Sequence, residues 1–348
     1  MKHKYIFLLL LLFPILTFSQ GIVIGNYTFK NNAKFHGEMF RGKPWGKGKT
    51  IYPDGSIYEG VYAKGVREGI GTLTKPNGEK YEGNWFQDQQ LGYGRYTYSN
   101  GNIYEGLWFK NQQHGIGTMY YYNKDKYVGS WKNGKRCGEG KYIFADGSYY
   151  DGSWENDMKN GHGQFVWRDK SSYTGNWVNN VKEGRGIFIY SNGDDYSGGW
   201  SKDLQNGRGT YHFRNRDVYQ GDYVNGQRTG TGLLRYRNGD EYYGHFVDGE
   251  KSGSGMMKWH NGDIYTGEWK NDKQNGKGKL IKHNQDIYEG AFSDGMLNGN
   301  VSVSYADGSV FRGIYKNNKR NGDFIEYDKN GQIKATGTYN NGVRHQNK

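Results

Sequence analysis

The sequence predicts an all-β protein, an elongated single-layer antiparallel sheet made of repeated β-hairpins. Three observations lead to this fold class. Glycine accounts for 57 of 348 residues, and aromatic residues for 17%, whereas glycine-rich disordered chains are poor in aromatic residues. In addition, one pattern of aromatic residues and glycines recurs every 23 residues. A fixed period of this length is typical of repeat architectures.

The repeats are defined by an aromatic residue followed by any residue and then glycine, a triplet that begins at Phe35, then at Tyr58, and finally at Phe311. With this aromatic residue as position 1, thirteen 23-residue units cover residues 35–333 without an insertion. Positions 3 and 12 are glycine in all thirteen units, position 14 is glycine in eleven, and position 5 is aromatic in twelve. Glycine at this frequency disfavours helix, because each interior glycine costs about 1 kcal/mol.

Each unit is predicted to form one hairpin, with strands at positions 1–6 and 12–18. Pairs such as Asp54-Gly55 and Asn100-Gly101 predict tight turns, because Gly and Asn tolerate positive φ. Side chains alternate along a strand, so positions 1, 3, 5, 14, 16 and 18 are expected on one face. There a large ring can cover the bare glycine backbone of its neighbour. The opposite face is expected to meet water.

The segments outside the repeats have separate predicted roles. Residues 1–19 combine Lys2 and Lys4 with an apolar run from Ile6 to Phe18, a pattern typical of a cleaved secretory signal peptide. Residues 20–34 are expected to form an N-terminal capping strand and residues 334–348 a degenerate C-terminal half repeat, because a solenoid needs capped ends. The sequence therefore predicts export, with a periplasmic, outer-envelope-associated or secreted location.

The repeat unit resembles the MORN repeat (membrane occupation and recognition nexus). The resemblance rests on the run from Tyr104 to Trp108 (Tyr-Glu-Gly-Leu-Trp), on Gly115-Ile116-Gly117 and on the Asn-Gly turns, and it covers residues 35–333. The chain departs from the pattern at Val301 and Phe324, which replace glycine at position 14, so the last units are expected to pack differently. The resemblance implies a long, twisted antiparallel sheet with an aromatic and glycine groove, and it implies no reaction.

Residues able to carry chemistry are scattered along the chain. Seven of the nine histidines lie in the repeats, mostly at different repeat positions, and Cys137 is the single cysteine, so no intrachain disulfide can form. Histidines at one position of adjacent repeats lie about 10 Å apart by strand spacing, whereas zinc needs each nitrogen at about 2.0 to 2.1 Å. The chain is therefore expected to be non-enzymatic, with no metal and no cofactor.

The function predicted for this architecture is that of an exported scaffold that binds a protein partner along the aromatic and glycine groove. The partner is expected to be an extended peptide or a second copy of the chain. Two alternatives remain open, a carbohydrate- or cell-envelope-binding module that uses the rings as sugar platforms, and a binder of anionic membrane surfaces. The candidate groove residues are aromatic residues of the central repeats: Trp85, Trp108, Trp131, Trp154, Trp177, Trp200, Tyr104, Tyr127 and Tyr150.

One edge of the predicted sheet is mildly basic. Positions 6 to 11 of the thirteen units hold 18 Lys and Arg residues against 10 Asp and Glu residues, with Lys132, Lys135 and Arg136 as the candidate centre. Such an edge favours an anionic lipid or polysaccharide, at about 1 kcal/mol per basic residue near a membrane. Duplex DNA carries one charge per about 1.7 Å, far denser than this edge, so nucleic acid is not an expected partner.

Overall fold

The computed structural model describes residues 21–345, which contain strands and turns and, in that range, no helix. The predicted signal peptide at residues 1–19 lies outside the described residues. Between residues 21 and 345 there is accordingly no helix of the length and apolar character that a membrane span requires. The described part of the chain divides into two compact units, one ending at Ala145 and one beginning at Asp146. The prediction of an all-β class is confirmed.

In the first unit, eleven strands form an antiparallel sheet in which each strand pairs with the next along the chain. Their bounds are β1 Ile22–Thr28, β2 Lys34–Phe40, β3 Lys43–Ile51, β4 Ile57–Ala63, β5 Val66–Thr74, β6 Lys80–Phe86, β7 Gln89–Thr97, β8 Ile103–Phe109, β9 Gln112–Tyr120, β10 Lys126–Lys132 and β11 Lys135–Ile143.

The second unit repeats this topology with eighteen strands, each again paired antiparallel with the next. Their bounds are β12 Tyr149–Glu155, β13 Met158–Val166, β14 Ser172–Val178, β15 Val181–Ile189, β16 Asp195–Ser201, β17 Leu204–His212, β18 Val218–Val224, β19 Gln227–Arg235, β20 Glu241–Val247, β21 Glu250–Lys258, β22 Ile264–Lys270, β23 Lys273–Ile281, β24 Ile287–Ser293, β25 Met296–Ser304, β26 Val310–Lys316, β27 Lys319–Tyr327, β28 Ile333–Asn340 and β29 Val343–His345.

Each hairpin closes at positions 7 and 8, which corrects the predicted strand bounds. Between β4 and β5 the turn consists of Lys64 and Gly65, with φ of 53° and 90°, as a two-residue type I′ turn requires. The second strand therefore runs over positions 9–17 rather than 12–18. The Asp54-Gly55 pair lies in the longer connection to the next hairpin, where Gly55 has the expected positive φ of 80°.

Glycine at position 12 forms a β-bulge in every 23-residue repeat. Its φ is positive in all thirteen, from 56° at Gly138 to 106° at Gly299. In β8 and β9 the pairing register shifts between Gly106 and Trp108, opposite the bulge. A residue with a Cβ pays about 1–2 kcal/mol for this left-handed conformation, which explains why no repeat carries another residue there.

Tyrosine at position 1 packs over the two glycines of its own hairpin. Tyr104 is 0% exposed, and a Cβ atom added to Gly106 would lie 2.7 Å from its hydroxyl oxygen. Gly117, the pairing partner of Gly106, lies under the same ring. A Cβ atom added to Gly117 would lie 2.5 Å from Cζ of Tyr104. The hydroxyl donates a 2.9 Å hydrogen bond to the carbonyl oxygen of Leu107. The prediction that rings cover bare glycine backbone is confirmed.

Tryptophan at position 5 joins each repeat to the preceding one. The indole N–H of Trp108 donates a 3.1 Å hydrogen bond to the carbonyl oxygen of Gly94. Its ring meets Tyr104 of its own repeat and Tyr81 of the preceding repeat edge to face, with both centroid distances at 5.3 Å. Such pairs contribute about 0.5–1.5 kcal/mol beyond burial. The same hydrogen bond is made by Trp85, Trp131, Trp177, Trp200 and Trp269.

Both ends of the hairpins are also tied to the adjacent repeat by side-chain acceptors. At one end, Asp263 at position 22 accepts the backbone N–H of His283 in the next repeat at 2.9 Å. At the other end, Asn180 at position 8 accepts the backbone N–H of Lys159 in the preceding repeat at 2.8 Å. These bonds satisfy donors that the turns leave unpaired. Five other aspartates act as Asp263 does: Asp125, Asp194, Asp217, Asp240 and Asp286.

Replacement of Asp263 by Asn is expected to lower the free energy of unfolding by about 1–2 kcal/mol at pH 7 and by less in acid. Burial alone would raise the pKa of Asp263, but hydrogen bonds from the Lys282 ammonium and the His283 N–H lower it to about 2. The stabilisation is thus complete above the unfolded pKa of about 3.9 and is lost as the pH falls towards 2. Urea unfolding from pH 7 to pH 2.5 tests this, with exposed Asp248→Asn as control. A difference independent of pH would contradict it.

The last two 23-residue repeats pack differently where glycine is missing, as predicted. Val301 replaces glycine opposite Gly290 and is 3% exposed, and Tyr288 of the same unit is only half-buried. In the next unit Phe324 takes the glycine site and stacks on Phe311 at 5.7 Å and 16°. A side chain at position 14 thus occupies space that a position 1 ring fills elsewhere.

Candidate functional site

All nine aromatic residues predicted to line a binding groove are buried in the core. The exposed fraction of the six tryptophans lies between 3% for Trp177 and 7% for Trp154. Tyr104, Tyr127 and Tyr150 are 0% exposed. Of the two interpretations of these rings, core or contact surface, the structure supports the core. Partner binding along the sheet stays a prediction, and other residues must provide the contacts.

Cationic side chains at position 10 help to cover these rings. The Lys159 ammonium lies 4.0 Å from the ring centroid of Trp177, and the Arg67 guanidinium lies 4.1 Å from that of Trp85. Burial lowers the pKa of Lys159 to about 8. The cation and the rings stabilise each other by cation–π attraction. The faces of these two tryptophans are therefore already occupied from within the chain.

The predicted basic edge is only partly a free surface. Lys132 and Lys135 face each other at the exposed end of the β10–β11 hairpin. Arg136 instead turns onto the aromatic face, with its guanidinium 5.6 Å from the Tyr127 ring and 5.4 Å from the Tyr142 ring. Two of the three residues thus present their charge to solvent.

Residues with potential for chemistry stay apart in space. Among residues 21–345, no three His, Cys, Asp or Glu side chains are placed to share a metal ion. Burial raises the pKa of the Cys137 thiol, which disfavours the reactive thiolate.

On the face opposite the rings, the first unit carries an exposed apolar row. Ile70, Tyr93 and Ile116 occupy position 13 of three consecutive repeats and are 72%, 59% and 61% exposed. Leu107, 42% exposed, lies directly across from Tyr93 in the β7–β8 pair. Position 13 recurs on alternate strands, so its members lie about 10 Å apart. We call Ile70, Tyr93, Leu107 and Ile116 the apolar row.

A row of ion pairs runs beside the apolar row on the same face. It is formed by positions 2 and 15, which pair across adjacent strands. Lys49 contacts Glu59 at 2.6 Å, and Arg95 contacts Glu105 at 3.1 Å. Exposed pairs of this kind add little stability. They border the apolar row with fixed, mutually neutralised charges.

In the second unit the same face forms a groove. Its floor is the backbone of the glycine pairs at positions 3 and 14, and its walls are side chains at positions 2, 4, 13 and 15. The widest stretch has a volume of about 860 Å³ and extends from His162 to Tyr243. Two further stretches measure about 520 Å³ and 580 Å³. Position 13 carries Arg185 and Arg208 here, where the first unit has apolar residues.

Sequence reasoning assigned this face to solvent and missed both features. The signal was present in the repeat alignment, because Ile70, Tyr93 and Ile116 share position 13 in three successive units. An alternating strand places position 13 with the polar positions 2 and 4, away from the rings. Three large apolar residues in a row on a polar face were therefore detectable.

An open antiparallel sheet of 23-residue hairpins, locked by tyrosine, tryptophan and glycine, defines the class of β-hairpin repeat proteins. Within that class the family model of the MORN repeat matches twelve consecutive units, residues 35–57 through 288–310. The chain belongs to the MORN repeat family. The thirteenth hairpin, residues 311–333, is not matched, and it is the unit in which Phe324 replaces glycine. No curated protein matches the chain.

Several solved structures show a limited likeness. The TCP domain of SAS-4 (dCPAP) of Drosophila melanogaster, in complex with a proline-rich motif of Ana2, is 18% identical over 56% of this chain and 86% of that chain, with a TM-score of 0.23. The TCP10 domain of Danio rerio CPAP is 8% identical over 77% and 99%, with a TM-score of 0.26. An inactive virginiamycin B lyase from Staphylococcus aureus is 12% identical over 82% and 92%, with a TM-score of 0.13. At these TM-scores the likenesses carry no inference about function.

Proposed function

We propose that this chain is an exported, non-enzymatic repeat scaffold that binds an extended segment of a partner protein along the apolar row of its first unit. The observation that carries the proposal is the exposure of Ile70, Tyr93 and Ile116, which are more than half accessible and lie at the same repeat position on the face opposite the rings. Apolar patches rimmed by polar residues mark interaction surfaces. Export is proposed from the signal-like pattern of residues 1–19.

The spacing of the apolar row suits a chain that crosses the strands. Its members recur about every 10 Å, so about three extended residues reach from one member to the next, and successive members need not contact side chains at a fixed spacing. Leu107 lies between Tyr93 and Ile116 on the adjacent strand and also packs over Gly115, so the contact surface between these two is continuous. The ion pairs beside it favour a partner segment with polar flanks.

The basic edge is assigned a secondary role in this proposal. Lys132 and Lys135 are exposed and close in the hairpin, so they would attract an acidic partner or an anionic surface at low salt. The carbohydrate alternative depended on tryptophan rings as sugar platforms, and burial of those rings removes its main support. A protein partner is therefore the function that we put forward.

The triple variant Ile70→Thr, Tyr93→Thr, Ile116→Thr is expected to weaken peptide binding at least tenfold, because each exposed apolar contact contributes roughly 1 kcal/mol or more. Threonine keeps the strand propensity, so the free energy of unfolding should change by less than about 1 kcal/mol. Binders selected from a random peptide library on the full chain provide the ligand for titration.

The matched control changes three exposed apolar residues outside the row, Ile51→Thr, Phe86→Thr and Phe109→Thr. Selected peptides should bind this variant within about twofold of the wild-type chain. If both triple variants lost binding equally, or if the variant in the apolar row lost none, the apolar row would not be the binding surface. If the wild-type chain bound phosphatidylserine vesicles or a polysaccharide more tightly than any selected peptide, that result would support the alternatives.

A further inference from the structure

The widest stretch of the groove in the second unit is cationic. Two guanidinium groups, from Arg185 and Arg208, line its volume of about 860 Å³, and none of the described residues that line it is acidic. Both arginines occupy position 13, in consecutive repeats, and both are exposed. The remaining lining consists of His162, of hydroxyl and amide groups, and of the apolar side chains of Ile187 and Leu233.

The two arginines are poorly neutralised by the chain itself. Across the pairing, Arg185 faces Gly199, which has no side chain. Within residues 21–345 the Arg185 guanidinium has no ion-pair partner, although the neighbouring repeats provide several acids elsewhere. Arg208 faces Asp222 across the sheet, but the contact is 3.6 Å and the Arg208 side chain is 86% exposed. Both guanidinium groups therefore stay accessible at the groove, Arg185 without an ion pair to any described residue and Arg208 with only the Asp222 contact.

We infer that this stretch of the groove binds an acidic peptide in the polyproline II conformation, with carboxylates three residues apart. Arg185 and Arg208 lie two strands apart, about 10 Å by strand spacing. A polyproline II chain rises about 3.1 Å per residue with three residues per turn, so side chains at i and i+3 point the same way about 9.3 Å apart. Side chains on one side of a β-strand recur at about 6.8 Å, which fits less well.

Other polyanions match the groove less well. Two arginines about 10 Å apart are far sparser than the phosphates of a nucleic acid. A planar carboxylate suits the fork of a guanidinium, and Ile187 and Leu233 offer apolar contact to the proline rings between the acids. The proposal concerns the second unit alone, so it does not depend on the apolar row of the first.

The experiment uses the full chain and a fluorescein-labelled peptide, Ser-Pro-Glu-Pro-Pro-Glu-Pro-Ser, in an anisotropy titration. The double variant Arg185→Gln, Arg208→Gln is expected to bind it about tenfold more weakly at low ionic strength. The deficit should narrow at high salt, since exposed charges are screened beyond about 8–10 Å. The control Arg214→Gln, Arg237→Gln removes the same charge at exposed turns outside the groove and should bind within about twofold of the wild-type chain.

Further arms define the ligand. A peptide with Gln in place of both Glu residues, and one with the Glu residues two apart, should each bind more weakly than the parent peptide. The proposal is overturned if the parent peptide does not bind, if the Gln peptide binds equally well, or if the double variant equals the control. It is equally overturned if dextran sulfate or phosphatidylserine vesicles bind through the two arginines while the peptide does not. Matching circular dichroism spectra of all variants ensure that folding does not decide the result.

Discussion

Replacement of Tyr173 by Ala is expected to lower the free energy of unfolding by about 4 kcal/mol, the cost typical of deleting a large buried ring. Tyr173 is 0% exposed, and its hydroxyl donates a 3.0 Å hydrogen bond to the carbonyl oxygen of Asn176. Its ring also packs edge to face on Trp177 and Trp200 at 5.2 Å. The loss should therefore weaken this repeat and its junction with the next.

The partner substitution, Gly186→Ala, is expected to cost about 2–3 kcal/mol, because a Cβ there would lie 2.5 Å from Cζ of Tyr173 and the packed ring must shift. Without the ring that clash disappears. The double variant should thus cost at least 1 kcal/mol less than the sum of the single variants, as coupled neighbours do.

Chemical denaturation of the four proteins provides this cycle. The control, Gly193→Ala, lies in an open turn at φ 92°, 3.9 Å from the nearest side-chain atom. It should cost only the backbone strain of about 1–2 kcal/mol. Strict additivity of Tyr173→Ala and Gly186→Ala would show that the ring does not require glycine beneath it.

Cooperative unfolding between about pH 10 and pH 12 is the second large expected effect. Burial raises the pKa of eight position 1 tyrosines above the ordinary value of 10, to about 12 for Tyr196, Tyr219 and Tyr265 and further for the others. The eight are Tyr58, Tyr81, Tyr104, Tyr173, Tyr196, Tyr219, Tyr242 and Tyr265.

The sign follows from proton linkage. Above pH 10 the unfolded chain loses tyrosine protons that the folded chain retains, so stability present below pH 10 is lost as the pH rises. Eight such groups together remove on the order of 10 kcal/mol per pH unit, comparable with the whole stability of a domain. Lys159 acts in the opposite sense, because its pKa of about 8 makes stability rise between pH 8 and about 10.4.

Circular dichroism and tyrosinate absorbance, followed together from pH 7 to pH 12, test this expectation. The strand signal should be lost in one steep step, and the absorbance of the buried tyrosines should rise in the same step, separate from any change due to exposed tyrosines such as Tyr93. Tyr173→Phe, which keeps the ring and removes one titrating group, should make the pH dependence shallower by about one proton. Ionisation of nearly all tyrosines with the strand signal intact would show that the buried hydroxyls are accessible.

Much of the fold could be predicted because the repeat restates its constraints thirteen times. Glycine at positions 3, 12 and 14 and aromatic residues at positions 1 and 5 specify the hairpin, its core face and the ring-over-glycine packing. The turn at positions 7 and 8 was missed, although pairs such as Asn133-Gly134 and Asp248-Gly249 mark it in some repeats and are typical of two-residue hairpin turns. In other repeats the signal is absent, because residues such as Lys110 and Asn111 adopt positive φ there without a glycine.

The nine aromatic residues predicted to line a groove are buried, and the binding surface that we propose lies on the opposite face. A stripe of tryptophan resembles a contact surface when only the strand pattern is considered, since a single sheet has no second layer to cover it. The pattern does not show that Trp108 is enclosed by two tyrosines and bonded to a backbone carbonyl, or that Arg67 and Lys159 lie over such rings. Those contacts depend on the glycine bulge at position 12 and on how position 5 of each repeat packs against the preceding repeat.

The tie between Trp108 and Gly94 has an evolutionary consequence. It uses only position 5 and a backbone carbonyl, while positions 2, 4, 13 and 15 on the opposite face contribute nothing to it. Core packing and the character of the opposite face thus depend on different positions of the 23-residue repeat. Substitutions at positions 2, 4, 13 and 15 can therefore change this face one side chain at a time without loss of the core. Whole repeats can likewise be added or removed, because each repeat carries its own packing residues. Ile116 and Arg185 both occupy position 13, so the same hairpin accepts an apolar or a charged residue there.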